Sequence, residues 1–151
     1  MHTVVCGGGP MIERCKLFVG VEPEEIARIS NRCKPVAYHE GDCIVRADTV
    51  GDALYILVEG NVSIRIGESD EITLAQHTKP GAFFGEIALV DSGPRSASVV
   101  AETDSKLLQL PIDVLEDCFR GNAAIEARIM RNLAVALAAF LRRANTERTR
   151  S

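Results

Sequence analysis

Between residues 36 and 111 the chain alternates short apolar runs with Gly, Asp and Pro, giving CIVR, ALYILVE, NVSIRI, EITLAQ, SVVAE and KLLQL. Runs of this length, rich in β-branched and aliphatic residues and bounded by turn formers, predict strands. Several such strands at close spacing imply a β-roll or barrel. In NVSIRI, Val62, Ile64 and Ile66 alternate with Ser63 and Arg65, so one face is expected to meet a core and the other water. With Gly60 between them, residues 53–59 and 61–66 are expected to pair as a hairpin, and Gly67 offers a second turn.

The pattern is helical on either side of the strands. Upstream, residues 11–33 carry Ile12, Leu17, Phe18, Val19, Ile26 and Ile29, and Pro23, Glu24 and Glu25 suit a helix's first turn. Downstream, a helix is expected over 112–119, a break at Gly121 and Asn122, and a longer helix over about 123–145. In it Ile125, Ile129, Leu133, Ala136, Leu137, Phe140 and Leu141 recur at steps of three and four. That stripe must cover the roll, a second chain, or both along its length. Residues 1–10, with three consecutive glycines before Pro10, read as a flexible lead. Residues 11–145 form the domain, and 146–151 a charged tail.

Composition narrows the classes of function. A chain of 151 residues fits one domain with a sizeable core. A net charge of -4 argues against wrapping nucleic acid, since counterion release needs clustered cations; residues 142–150 are the one basic exception. An aromatic share of 5% without Trp offers no base-stacking surface for single strands. Cys6, Cys15, Cys33, Cys43 and Cys118 are odd in number and never form C-x-x-C, so they read as reduced thiols in the cytoplasm and not as a metal site. The longest apolar run, 133–141, is about half of the ~20 residues a membrane helix needs. His2, His39 and His77 are scattered and read as surface or loop residues, and neither Ser92 nor Ser96 sits in a G-x-S-x-G elbow. No catalytic set emerges, and the chain is expected not to be an enzyme.

The chemistry concentrates in PGAFFGEIALVDSGPRSASVV, residues 80–100, with the site expected over 84–98. Gly85 permits close backbone approach, and EIAL has the composition of one short helical turn whose free N–H groups would face an anion. Arg95, carried back by the Gly93-Pro94 turn, supplies the counter-charge, because a guanidinium fork matches phosphate oxygens. Glu86 would repel a phosphate and suits a ribose 2′-OH instead.

At these residues the sequence resembles a known family. FFGEIALVDSGPRSAS is similar to the phosphate-binding cassette of cyclic-nucleotide-binding domains, found in kinase regulatory subunits, the catabolite activator protein and cyclic-nucleotide-regulated channels. GDALYILVEGNVSI resembles the family's strand pair leading to a glycine turn, here Gly60. The resemblance implies an eight-stranded, jelly-roll-like β-roll with short N-terminal helices, a cassette helix and two C-terminal helices. It further implies that Arg95 grips the equatorial phosphate oxygens, that backbone N–H groups around Gly85, Ile87, Ala88, Ser96 and Ala97 complete the cradle, and that Glu86 binds the ribose. Ser96 can bond either base, and cyclic AMP is favoured over cyclic GMP by family weight alone.

The function expected on this footing is a regulatory sensor whose C-terminal helices move on ligand capture. Its partners would be the cyclic nucleotide and either a second copy through the C-terminal helix or a regulated domain, with neither nucleic acid nor membrane insertion. The competing readings are the sensing fragment of a larger transcription factor, channel, transporter or enzyme, and a domain that keeps the fold but no longer binds. Retention of Glu86 and Arg95 argues against the last.

Overall fold

The computed structural model describes residues 12–67, 69–91 and 93–150, with side chains to residue 146. The flexible lead expected over 1–10 lies outside these residues. Eight strands among the described residues form two four-stranded antiparallel sheets. The first sheet runs β1-β8-β3-β6, with β1 Lys34–Tyr38, β8 Ser105–Pro111, β3 Ala53–Glu59 and β6 Phe83–Phe84. The second runs β2-β7-β4-β5, with β2 Cys43–Val45, β7 Ser98–Ala101, β4 Val62–Ile66 and β5 Ile72–His77. This is the expected β-roll. Pro35, which cannot donate to a ladder, lies in β1 at a sheet edge, where that loss is tolerated.

Strand β3 reads as a nearly continuous apolar run because both its faces are covered. Ala53, Tyr55 and Leu57 point into the roll with Leu107, Val62, Phe84 and Val99. Leu54 and Ile56 point the other way, with Leu108 and Leu110, onto the helices α1 Pro23–Asn31, α2 Ile112–Phe119 and α3 Ala123–Arg150. Ile125, Ile129 and Leu133 from the predicted stripe of α3 are buried in this outer core. α1 begins at Pro23 with Glu24 and Glu25 in its first turn, as the sequence predicts.

One expected pairing is wrong. β3 and β4 do not form a hairpin, since β3 pairs with β6 and β8 while β4 pairs with β5 and β7. At φ 118, Gly60 makes a corner instead of a hairpin turn, and a β-bulge between Leu57 and Glu59 bends the end of β3 away. The chain thereby crosses from one sheet to the other, so Leu57 and Val62 share the roll interior. The turn through Gly67 does join a true antiparallel pair, β4 and β5.

Gly121 breaks the C-terminal helices as expected, and Asn122 caps α3 by accepting the Ile125 N–H at 3.2 Å. The Asn132 amide holds α3 to the N-terminal turn Lys16–Phe18, donating to the carbonyls of Leu17 at 2.8 Å and Val19 at 2.9 Å. α3 continues to Arg150, past the expected end near Asn145, because LRRANTERTR contains neither Gly nor Pro to stop it.

Candidate functional site

Phe84 closes β6 and is buried in the roll, its ring stacked on Tyr55 with centroids 5.3 Å apart and planes 12° apart. The next residue, Gly85, has φ 80, a left-handed conformation that turns the chain out of the strand. The 3-10 turn Glu86–Leu89 follows at once, as the composition of EIAL predicts. Val90 and Asp91 donate their N–H groups to Ile87 O at 3.0 and 2.8 Å, and Ala88 donates to Gly85 O at 3.4 Å. The N–H groups of Ile87, Ser96 and Ala97 take no hydrogen-bond partner among the described residues. They remain available as donors to a bound anion.

Arg95 approaches this turn from a neighbouring loop. Its backbone is held by the segment before β3: Arg95 N–H donates to Thr49 O at 2.7 Å, and Asp48 N–H to Arg95 O at 2.9 Å. Val50 and Pro94 form an isolated β-bridge beside them. The guanidinium lies against the sheet, with Nη2 donating to Ala53 O at 2.8 Å and Nη1 to Gly85 O at 3.4 Å. Two of its five N–H donors are thus engaged and three are left for a ligand. None of the ion pairs among the described residues involves Arg95. This part-buried guanidinium has no carboxylate within ion-pair distance among the described residues, which leaves its charge available to an anion.

A second arginine-rich place makes the contrast. Arg28, Arg32 and Arg120 line a cavity of about 580 Å³ between α1 and the α2–α3 turn. There Arg28 pairs with Glu25 at 2.6 Å, Arg32 with Asp117 at 3.2 Å, and Arg120 with Asp117 too. Each of those cations has a carboxylate within ion-pair distance, two of them sharing Asp117, and Arg95 has none among the described residues.

Burial pushes the Glu86 carboxyl above its ordinary value, while its own backbone N–H and the Arg95 charge pull it part of the way back. The structure therefore brings Gly85, Glu86, Ile87 and Ala88 onto one turn and sets Arg95, Ser96 and Ala97 on the loop facing it. Sequence reasoning missed Thr49, Gly51 and the Ala53 carbonyl, which seat Arg95 from more than forty positions upstream. The only signal was Gly51 in GDALY, a glycine just before a strand. His77 also differs from its expected place: it ends β5 opposite Val62, half-buried, with its pKa lowered by burial and then by the Arg143 charge.

Known proteins are similar to this chain in sequence and fold. The family model for the Cyclic nucleotide-binding domain matches residues 35–122. Over 125 residues the chain is 30% identical to the CRP-like cAMP-activated global transcriptional regulator of Mycobacterium tuberculosis, covering 82% of this chain and 56% of that protein. Over 102 residues it is 35% identical to a cAMP-dependent protein kinase regulatory subunit of Aspergillus fumigatus, covering 68% of this chain and 24% of the relative. The crystal structure of Thermus thermophilus Catabolite Activator Protein superposes with a TM-score of 0.71 at 35% identity, covering 87% of this chain and 61% of that one. The chain thus spans less than two thirds of each of these relatives.

Proposed function

Because the chain belongs to the cyclic nucleotide-binding domain family, we propose that it is a regulatory sensor that binds cyclic AMP in preference to cyclic GMP and responds by moving its C-terminal helices. The observation that carries the reading is the Arg95 guanidinium, part-buried, free of any carboxylate partner among the described residues, and beside a turn with open N–H groups. A cyclic phosphate bears one negative charge and has two free oxygens, so a guanidinium fork and two or three backbone donors satisfy it. Ile87, Ser96 and Ala97 supply the open N–H groups, and Gly85 and Ala88, whose N–H lies 3.4 Å from Gly85 O, complete the cradle. Glu86 takes the ribose 2′-OH: burial disfavours its charge in the empty site, and a hydroxyl donor gives the charged form a partner.

The preference for cyclic AMP is supported by the names of both curated relatives, each of which specifies cAMP. Their names also describe regulators, which supports a sensing role and not a catalytic one. A sensor requires two states of different ligand affinity. The moving part in this reading is α2 with α3, hinged at Gly121, where φ is 72. Val135 and Leu141 on α3 are 61% and 64% exposed, and with Ala134 and Ala138 they offer a face to a second copy or a regulated domain. No helix among the described residues is long and apolar enough to cross a membrane. A cytoplasmic location belongs to the proposal, supported by the four described cysteines, all of them free.

Calorimetric titration with cyclic AMP, cyclic GMP and a cyclic dinucleotide tests the reading. Saturable binding is expected for cyclic AMP, weaker binding for cyclic GMP, and none for the dinucleotide. Absence of saturable binding by both mononucleotides overturns it. Light scattering with and without cyclic AMP tests whether α3 joins two copies.

A further inference from the structure

Two glycines from separate segments bound the space in which the Arg95 guanidinium lies. A Cβ on Gly85 would fall 2.6 Å from Arg95 Nη1 and 3.2 Å from Ala53 O, and its φ of 80 would strain any side chain as well. Gly51 is different. Its φ lies outside the left-handed region, so its backbone does not itself require glycine. What a side chain there would meet is Arg95: a Cβ would overlap Cζ, Nε and Nη2 of the guanidinium, its three nearest neighbours.

We propose that Gly51 is a positioning residue for ligand binding, its missing side chain being what allows the Arg95 guanidinium to lie against β3 in the orientation held by Ala53 O and Gly85 O. The inference rests on the reading of Arg95 as the phosphate anchor. It goes beyond that reading by assigning a role to a residue outside the proposed phosphate cradle. The same segment holds the arginine twice over. Thr49 and Asp48 fix its backbone through bonds of 2.7 and 2.9 Å, the Val50–Pro94 bridge fixes the loop, and Gly51 leaves room for the head group. An arginine side chain has many rotamers, and a site that selects one of them beforehand loses less entropy when the ligand arrives. A methyl group on Gly51 would not break the fold, because the atoms it meets belong to the free end of a flexible side chain. It would drive the guanidinium off Ala53 O and away from the turn at Gly85.

The test uses the full chain as Gly51→Ala, Arg95→Ala and the double variant, each titrated with cyclic AMP and melted without ligand. Gly51→Ala is expected to fold and to bind cyclic AMP about 10- to 100-fold more weakly, the range typical when a partner that orients a ligand-holding group is lost. In the Arg95→Ala background the same substitution should leave affinity unchanged, and its effect on melting temperature should shrink, since the group it strikes is gone. Should Gly51→Ala fail to fold, recovery of folding in the double variant assigns the fault to the guanidinium; failure of both overturns the proposal. Wild-type affinity in Gly51→Ala, with binding lost in Arg95→Ala, overturns the positioning role and leaves the anchor standing. Equal additional losses in both backgrounds also overturn it. Wild-type affinity in Arg95→Ala removes the anchor itself and the positioning role with it.

Discussion

Phe84 and Tyr55 stack at 5.3 Å across β6 and β3, one residue before Gly85 turns the chain into the segment proposed to face the phosphate. The pair fixes where Gly85 begins, and it lies inside the roll. Phe84→Ala is expected to destabilise the domain by about 3–5 kcal/mol through the cavity it leaves. Phe84→Leu should cost less, forfeiting mainly the ring contact of about 0.5–1.5 kcal/mol. Urea denaturation of the two variants distinguishes a packing role from an incidental contact: equal, small losses would show that the stack bears little of the stability.

Ligand affinity should separate the two charged groups of the site. Arg95→Ala removes the phosphate's only charged partner in the proposed site and is expected to weaken cyclic AMP binding by about 2–5 kcal/mol. Arg95→Lys should recover part of that, since an ammonium keeps the charge but loses the fork. Glu86→Ala should lose less, roughly 1.5–3 kcal/mol, the range for one charge-assisted bond. Calorimetry on the three variants gives the order, and a larger loss for Glu86→Ala than for Arg95→Ala would reverse the assigned roles.

Glu86 also sets a pH dependence for the empty protein. Its carboxyl is raised above the ordinary 4.5 on folding, mainly by burial. A raised carboxyl favours the folded state fully below its unfolded value, and that contribution is lost as pH climbs through the folded value. Glu86→Gln cannot ionise, so it should match the wild type below about pH 4 and exceed it in stability at pH 7. Chemical denaturation at both pH values checks this. A Gln variant less stable than wild type at pH 7 would mean that the charge is welcomed by the empty site.

Gly60 should tolerate substitution poorly. Its φ is 118, and a Cβ there would come within 2.8 Å of the Ser105 Cα, which is backbone and cannot swing aside. Gly60→Ala is expected to cost about 1–3 kcal/mol for the backbone conformation, with the contact adding to it. Thermal melts read the loss, and a wild-type melting temperature would show that the corner can relax.

The parts legible in sequence were local. EIAL announced its turn and Gly121 the break between the C-terminal helices, because both depend on neighbours within a few residues. The stripe of α3 was legible for the same reason, since helical periodicity is written in consecutive residues. The pairing of β3 was not. Whether Leu57 faces a hairpin partner or the interior of a roll is decided by β8, fifty positions away, and two residues around Gly60 fit either outcome. Thr49, Gly51 and the Ala53 carbonyl escaped notice on similar grounds. Their importance lies in a guanidinium more than forty positions downstream, and Gly51, a glycine just before a strand, is the one local mark among them.

Strand β3 sorts the effects of mutation by parity. Odd positions, Ala53, Tyr55 and Leu57, border the compartment between the sheets, whereas even ones, Leu54 and Ile56, form the floor beneath the helices. A substitution at an odd position changes the room inside the roll with little direct effect on how the helices dock. One at an even position does the reverse. A single seven-residue strand therefore carries two independently adjustable surfaces, and how the helices rest can be retuned without reshaping the interior of the roll.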